Sequence, residues 1–325
     1  MPHMHALNLR RAKPEDGISR GFFVAGKFIR TLGTALGASL MSAQAFAIDG
    51  QPAPGEIGMQ DSVTPIADSI HAFHNGILLW VCIGISVLVL ALLIVVILRF
   101  NSRSNPTPAR FTHNTLVEVI WTALPVIILV VIAIPSFAVL TDQMTVPDGQ
   151  RKYLGSNIFS FGSVDVPAPG LTIKVTGSQW YWTYEYVDQG KSFDSNILTE
   201  EARLAETPQQ PRLLAVDNML VVPVDTTVRV QVTAADVIHA FAVPSFGIIT
   251  DAVPGRLNET WFNARKEGVF YGQCRELCGK DHAFMPIAVR VVSAEVYAAW
   301  LAALESGSVA SANATLPPLS AAPAA

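Results

Sequence analysis

Two uncharged apolar runs constrain this chain more than anything else in it. From Ile77 to Leu98, and again from Val119 to Leu140, 22 residues pass without a charged side chain. As helix, each run covers about 33 Å, enough for a hydrocarbon core of roughly 30 Å. One such run could be the buried helix of a soluble core; two of this length argue against it. Pro125 and Pro135 lie in the second run, and membrane helices tolerate proline better than soluble ones do. Charged residues make up only 15% of the chain, against roughly 25% in an average soluble domain. The linker between the runs carries Arg99, Arg103 and Arg110 and no acid, so the positive-inside rule places it in the cytoplasm. Both ends of the hairpin then face outward, and the larger part of the chain lies outside.

The first 47 residues hold six basic and two acidic side chains, a net +4, which leaves −8 for the remainder. Lys27 and Arg30 precede a weakly apolar stretch that ends in Ala45-Phe46-Ala47, a small-x-small pattern that reads as a cleavable signal peptide over 1–47. The acidic body excludes nucleic-acid binding, which depends on basic patches. The expected divisions are an outward segment 48–75, the transmembrane hairpin 76–141, an outer domain 142–305 and a tail 306–325. In the outer domain "TIKVTG", "WYWTYEY", "TTVRVQVT" and "IAVRVVS" alternate with period two and are rich in β-branched and aromatic residues. They predict an antiparallel β-sandwich or barrel, followed by a short helix at "VYAAWLAAL". The tail of Ala, Ser and Pro is expected to be disordered.

The chemistry is concentrated in "GQCRELCGKDHAFMP", Gly272 to Pro286, where Cys274, Cys278, His282 and Met285 fall at C-x3-C-x3-H-x2-M spacing. His239 stands 35 residues before Cys274, just after an alternating strand. Thiolate, imidazole and thioether together select a soft metal, and on a β-sandwich they point to copper. A mononuclear blue-copper site needs one cysteine, and here there are two. Two thiolates can bridge two copper ions with one histidine capping each. The alternatives are a structural disulfide, common outside the cytoplasm, and a Cys2His2 zinc site. A disulfide needs no histidine, and zinc has little use for methionine. Cys82, inside the first span, reads as a small packing residue.

These residues and their surroundings resemble subunit II of the bacterial haem–copper cytochrome c oxidases. The likeness is carried by "VEVIWTALPVIILVVIAIPS" (117–136), "QWYWTYEY" (179–186), "DVIHAFAVPSFGIITDAVPGR" (236–256) and "FYGQCRELCGKDHAFMP" (270–286). It implies a two-helix membrane hairpin followed by an all-β, cupredoxin-like Greek-key barrel in the periplasm of an inner-membrane protein. It also implies a dinuclear copper centre, Cu-A, with Cys274 and Cys278 bridging and His239 and His282 terminal. Met285 and the backbone carbonyl of Glu276 would be weak ligands, and the Glu276 carboxylate would reach a magnesium ion shared with subunit I. Haem would lie only in subunit I. Electrons would come from cytochrome c, enter at Trp180 and pass to that haem for the reduction of oxygen, coupled to proton pumping. The partners so implied are subunit I, the other oxidase subunits, cytochrome c and the lipid bilayer. Arg275, Ala240-Phe241, Ile249 and Ala235 depart from the family's usual residues, but none is a ligand side chain.

Two single residues carry competing readings. Strand alternation alone puts Trp180 on one buried face with Trp182, Tyr184 and Tyr186; its role in electron input rests on the resemblance. Glu118, at the cytoplasmic start of the second span, suits a helix N-terminus electrostatically, and the resemblance places it at the mouth of a proton-uptake path. Residues 141–306 hold 19 acids and 13 basic residues, which suits a basic cytochrome c. Asp194, Asp217 and Asp236, with Glu185, are the expected docking acids. A membrane-anchored copper chaperone is the competing function class; it would want an open, exchangeable site. A quinol oxidase subunit would lack the copper ligands, and nitrous oxide reductase would lack the hairpin. The chain has no C-x-x-C-H segment for a fused c-type haem.

Overall fold

The computed structural model describes residues 50–319 except 54, 108, 159–161 and 207–209. The expected signal peptide therefore lies outside the described residues.

The first long helix runs from Pro65 to Arg99 and the second from Thr115 to Met144. The first starts well before the apolar run because its start signal lies upstream. Thr64 accepts a hydrogen bond from the Ala67 N–H, and Pro65 needs no amide partner in the first turn. A π-helical segment at His74–Leu78 interrupts the α-helix where the polar first turns give way to the apolar run. The second helix is capped by Asn114, whose side chain accepts from the Val117 N–H. Through the apolar runs large side chains point outward on all sides, Leu92 at 56% and Ile127 at 58% exposure among them. Water would not tolerate that surface; lipid or neighbouring membrane helices would.

The outer domain is built on two main sheets. Strands are β1 (Lys152–Tyr153), β2 (Val164–Asp165), β3 (Leu171–Ser178), β4 (Tyr181–Tyr186), β5 (Lys191–Ser195), β6 (Leu220–Pro223), β7 (Thr227–Ala234), β8 (His239–Val243), β9 (Ile248–Ala252), β10 (Asn258–Asn263), β11 (Gly268–Gln273) and β12 (Pro286–Val292). One sheet has the order β10-β7-β3-β4-β5 and the other β11-β12-β6; β8 and β9 form a separate hairpin. Both sheets send their alternating apolar positions into one core, with Ile173, Val230, Trp182, Phe270, Ile287 and Val289 fully buried. Burying one such side chain is worth about 1.5–3 kcal/mol.

Three expectations change here. The sheets are mixed, since β3 pairs with β7 and β12 with β6 in parallel. No closed barrel forms among the described residues, although the arrangement is consistent with a cupredoxin-type fold. Period-two alternation identifies a strand and its buried face, but it says nothing about which strand lies beside it. The described part of the tail, to residue 319, also carries structure. A short helix, Val309–Asn313, starts from a capping box between Ser308 and Ser311. It buries Ala312, and Asn313 accepts from the Trp300 indole N–H at 3.0 Å and donates to Asn218 at 3.1 Å. An uncharged Ala/Ser composition looked like disorder, but two side-chain hydrogen bonds and a cap suffice to dock it.

The hairpin is tied to this domain at several points. Thr64 donates its hydroxyl to the Phe246 carbonyl at 2.7 Å, and Arg265 pairs with Asp68 at 2.8 Å. At the end of the second helix, buried Asp142 pairs with Arg151 at 2.9 Å and accepts from the Leu154 N–H at 2.7 Å. The Asp142 carbonyl accepts from the Trp261 indole N–H at 2.9 Å.

Candidate metal centre

The segment 274–285 is a loop whose two ends are held by the β11–β12 ladder, the last pair being Gln273 with Pro286. One further bond, Cys274 N–H to the Met285 carbonyl at 3.0 Å, closes its neck. Arg275 N–H bonds the Ala240 carbonyl at 3.2 Å, which ties the loop to β8 directly after His239. His239 begins β8, and His282 sits in a 3-10 turn over His282–Phe284.

These supports bring the sulfurs and imidazoles together. The two Sγ atoms stand 3.8 Å apart, far beyond the roughly 2.05 Å of a disulfide, and both thiols are free. Cys274 Sγ lies 3.9 Å from His239 Nδ1, and Cys278 Sγ lies 3.5 Å from His282 Nδ1. The Glu276 carbonyl is 3.3 Å from Cys274 Sγ. His239, Cys274 and Cys278 have their donor atoms within 4.8 Å of one another, all buried. Met285 is buried at 1% exposure, and His282 is half-buried. Burial first, and the Cys274 sulfur second, push the Cys278 thiol up to about 12. Ionising the Cys278 sulfur therefore takes the charge of a bound cation. The donor set fits a soft metal ion: His239, Cys274 and Cys278 come together, His282 adjoins Cys278, and Met285 is buried in the same core as the two sulfurs.

Trp180 is not where alternation put it. β4 begins at Tyr181, and only Trp182, Tyr184 and Tyr186 face the core at 0% exposure. Trp180 lies half-buried beside the loop, its indole N–H 3.3 Å from the Cys278 carbonyl. The Gln179 side chain donates to the same carbonyl at 2.7 Å. Lys280 Nζ sits 5.7 Å from the Trp180 ring centroid.

The acids have distinct settings. Asp194 and Asp217 are exposed; Asp194 accepts from the Thr183 hydroxyl at 2.7 Å and Asp217 from the Asn196 N–H at 2.7 Å. Glu185 pairs with Lys174 at 3.2 Å on the surface. Asp236 accepts from His239 Nε2 at 2.9 Å and from the Gln179 N–H at 2.7 Å. Burial acts to raise its pKa, but these bonds and that from the Val237 N–H hold it below the ordinary carboxylate range. Glu276 is exposed on the loop. Glu118 is remote from all of these, in the first turn of the second helix, where its carboxylate accepts from the Asn114 N–H at 3.1 Å.

Residues 171–292 match the family model for the periplasmic domain of cytochrome c oxidase subunit II, and residues 52–139 match that for its transmembrane domain. A relative from Rickettsia bellii, a probable cytochrome c oxidase subunit 2, is 45% identical over 276 residues, covering 85% of this chain and 93% of its own. This chain belongs to the cytochrome c oxidase subunit II family. The Cereibacter sphaeroides cytochrome c oxidase subunit 2 is 42% identical over 279 residues, 81% of this chain and 85% of that one. The crystallised periplasmic domain of subunit II of cytochrome oxidase from Bradyrhizobium japonicum is 58% identical over 43% of this chain and 97% of that chain, with a TM-score of 0.39. Membership of the family makes the chain an inner-membrane subunit of a respiratory oxidoreductase, with two membrane helices and a periplasmic domain.

Within this subunit II, several supporting residues carry no local signal in the chain. A Cβ on Gly177 would stand 2.9 Å from His239 Cδ2, so this glycine makes the room for that ring. A Cβ on Gly279 would stand 2.9 Å from Trp180 Cζ2. Gln179 is a third such residue. Their roles depend on cross-strand neighbours, which no local pattern reports.

Proposed function

We propose that this subunit accepts electrons from cytochrome c at Trp180 and holds a dinuclear Cu-A centre that relays them to haem in subunit I. The observation that carries this reading is a pair of free, buried thiols 3.8 Å apart, each facing its own imidazole. Copper bound there supplies a one-electron carrier. Cys274 and Cys278 are assigned as bridging ligands, His239 and His282 as terminal ligands, and Met285 and the Glu276 carbonyl as weak ones. Thioether and thiolate together favour copper over zinc. The ladder, the closed neck of the loop and the Arg275 tie to β8 hold the donors in place, so little has to reorganise around an added electron. Met285 and Phe241 are buried in the same apolar core as the two sulfurs. The exposed Glu276 carboxylate is assigned to a magnesium ion shared with subunit I.

The indole N–H of Trp180 on the Cys278 carbonyl offers a short bonded route from the domain's surface to a ligand. Exposed Asp194 and Asp217, with Glu185 and Asp236, supply negative charge for a cytochrome c that is basic around its haem edge. Stopped-flow reduction of the purified oxidase by cytochrome c separates input from docking. Trp180→Phe should leave the salt dependence as in the parent and slow electron input by about tenfold or more, or ~1.4 kcal/mol of barrier. Asp194→Asn should lower the bimolecular rate by about two- to fivefold at low salt and flatten its salt dependence. Electron input at the parent rate in Trp180→Phe would make Trp180 a packing residue.

Glu118 is assigned to proton uptake from the cytoplasm. It also satisfies a helix-terminal N–H, so two variants are needed. Glu118→Gln keeps an acceptor for Asn114 but cannot titrate. It should slow steady-state turnover as much as Glu118→Ala does, with the copper spectrum unchanged in both. Parent turnover in the Gln variant would reduce Glu118 to a helix cap.

A further inference from the structure

We propose that Asp236 is a positioning residue of the metal centre, acting through the imidazole of His239, and not chiefly a docking acid. The inference rests on the Cu-A reading above. His239 is fully buried in its side chain, with Nδ1 turned to Cys274 Sγ and Nε2 2.9 Å from Asp236 Oδ1. An ionised carboxylate can only accept, so the proton of a neutral imidazole resides on Nε2. That leaves the Nδ1 lone pair free for a metal. The carboxylate is itself fixed: the Gln179 N–H donates to Oδ2 at 2.7 Å and the Val237 N–H to Oδ1 at 2.6 Å. On its other side the ring meets Gly177, where even a Cβ would clash, and the edge of Trp182 at 6.0 Å between centroids. His239 thus has one orientation, set from both sides.

The surface acids offer a contrast. Asp194 uses its carboxylate on a single hydroxyl and otherwise faces solvent. Asp236 has its oxygens engaged by three donors of its own chain, and its side chain is only 35% exposed. The two imidazoles also differ. Among the described residues, His282 has no carboxylate partner corresponding to Asp236. Anionic partners of this kind raise ligand basicity and are worth roughly 10–100-fold in metal affinity. A negative charge behind His239 favours the more positive, oxidised state of the metal, so removing it raises the midpoint potential.

The test uses the purified oxidase with Asp236→Asn, Asp236→Glu and, as a surface-charge control, Asp194→Asn. Copper count and the electron-paramagnetic spectrum of the parent are taken first; a parent without two coppers sharing one electron overturns the Cu-A reading itself, whatever the variants do. Asp236→Asn preserves size but keeps one acceptor oxygen, which can serve the Val237 N–H and His239 Nε2 on one side or the Gln179 N–H on the other, not both. It should hold two coppers at saturation, with about tenfold weaker affinity. At the parent's midpoint the ratio of reduced to oxidised centre should rise up to about tenfold, ~59 mV for one electron. Its copper hyperfine pattern should change as well. Asp236→Glu, which keeps the charge, should recover most of the potential shift. Asp194→Asn should leave the midpoint alone. Parent midpoint and parent copper affinity in Asp236→Asn, with only the salt dependence of cytochrome c reduction altered, would overturn the proposal and return Asp236 to the docking surface.

Discussion

Cys274→Ser is expected to eliminate the metal centre while leaving the fold in place. The substitution changes one buried atom, and a serine hydroxyl is both a hard donor and far too weak an acid to bridge two soft ions at neutral pH. The remaining donors near His239 are then a carbonyl and the single Cys278 sulfur. Copper should fall from two ions per chain to one or none, and the pattern of one electron shared over two nuclei should vanish. Turnover with cytochrome c should drop by roughly two orders of magnitude or more, since a lost ligand costs at least what a lost outer partner does. Cys82→Ser serves as the control, because Cys82 is exposed on the first long helix and has no part in the site. Two coppers per chain and an unaltered spectrum in Cys274→Ser would sink the bridging assignment.

The second large effect requires only one added methyl group. Gly272→Ala should destabilise the periplasmic domain by about 3 kcal/mol or more, and it should impair copper loading without touching a ligand. A Cβ built at Gly272 stands 1.9 Å from the Ala242 carbonyl oxygen, 3.0 Å from its carbon and 3.2 Å from Val243 Cα. All three are backbone atoms and cannot rotate away, so β11 must separate from β8. Overpacking usually costs 1–3 kcal/mol where side chains can adjust; here none of the obstructing atoms is a side chain. Because Cys274 follows β11 and His239 begins β8, the same separation would pull the ligands apart. Thermal unfolding of the purified subunit and copper content report the two consequences separately. A parent-like melting temperature would show that the strands can part at little cost.

What could be read from sequence divides by physical range. The two membrane spans were legible because uncharged length is a one-dimensional property, and Thr64-Pro65 shows why the start of the first helix was not. That start is set by a cap lying outside the apolar run. That Cys274, Cys278 and His282 come together was legible because their spacing is local. Trp180 was misplaced because alternation was extended one residue past the point where the strand begins. The parallel pairings of β3 with β7 and β12 with β6 join segments distant in the chain, and no local pattern encodes them. Asp236 illustrates the limit most sharply. As a letter it is one surface acid among several, and its bond to His239 Nε2 is visible only once β8 turns that ring inward.

The clamp around Asp142 makes the bilayer a reference plane for the proposed redox centre. The last turn of the second helix is locked to Trp261 and Arg151, while Thr64 grips Phe246, just beyond the strand that begins with His239. Rocking of the domain on its stalk is thereby resisted at two separate anchorages, one of them close to the ligand-bearing strand. Electron hops weaken steeply with separation, so the height of the centre above the membrane is a functional dimension. In this subunit that height is gauged by two helices standing in lipid, and the domain inherits it through a handful of hydrogen bonds.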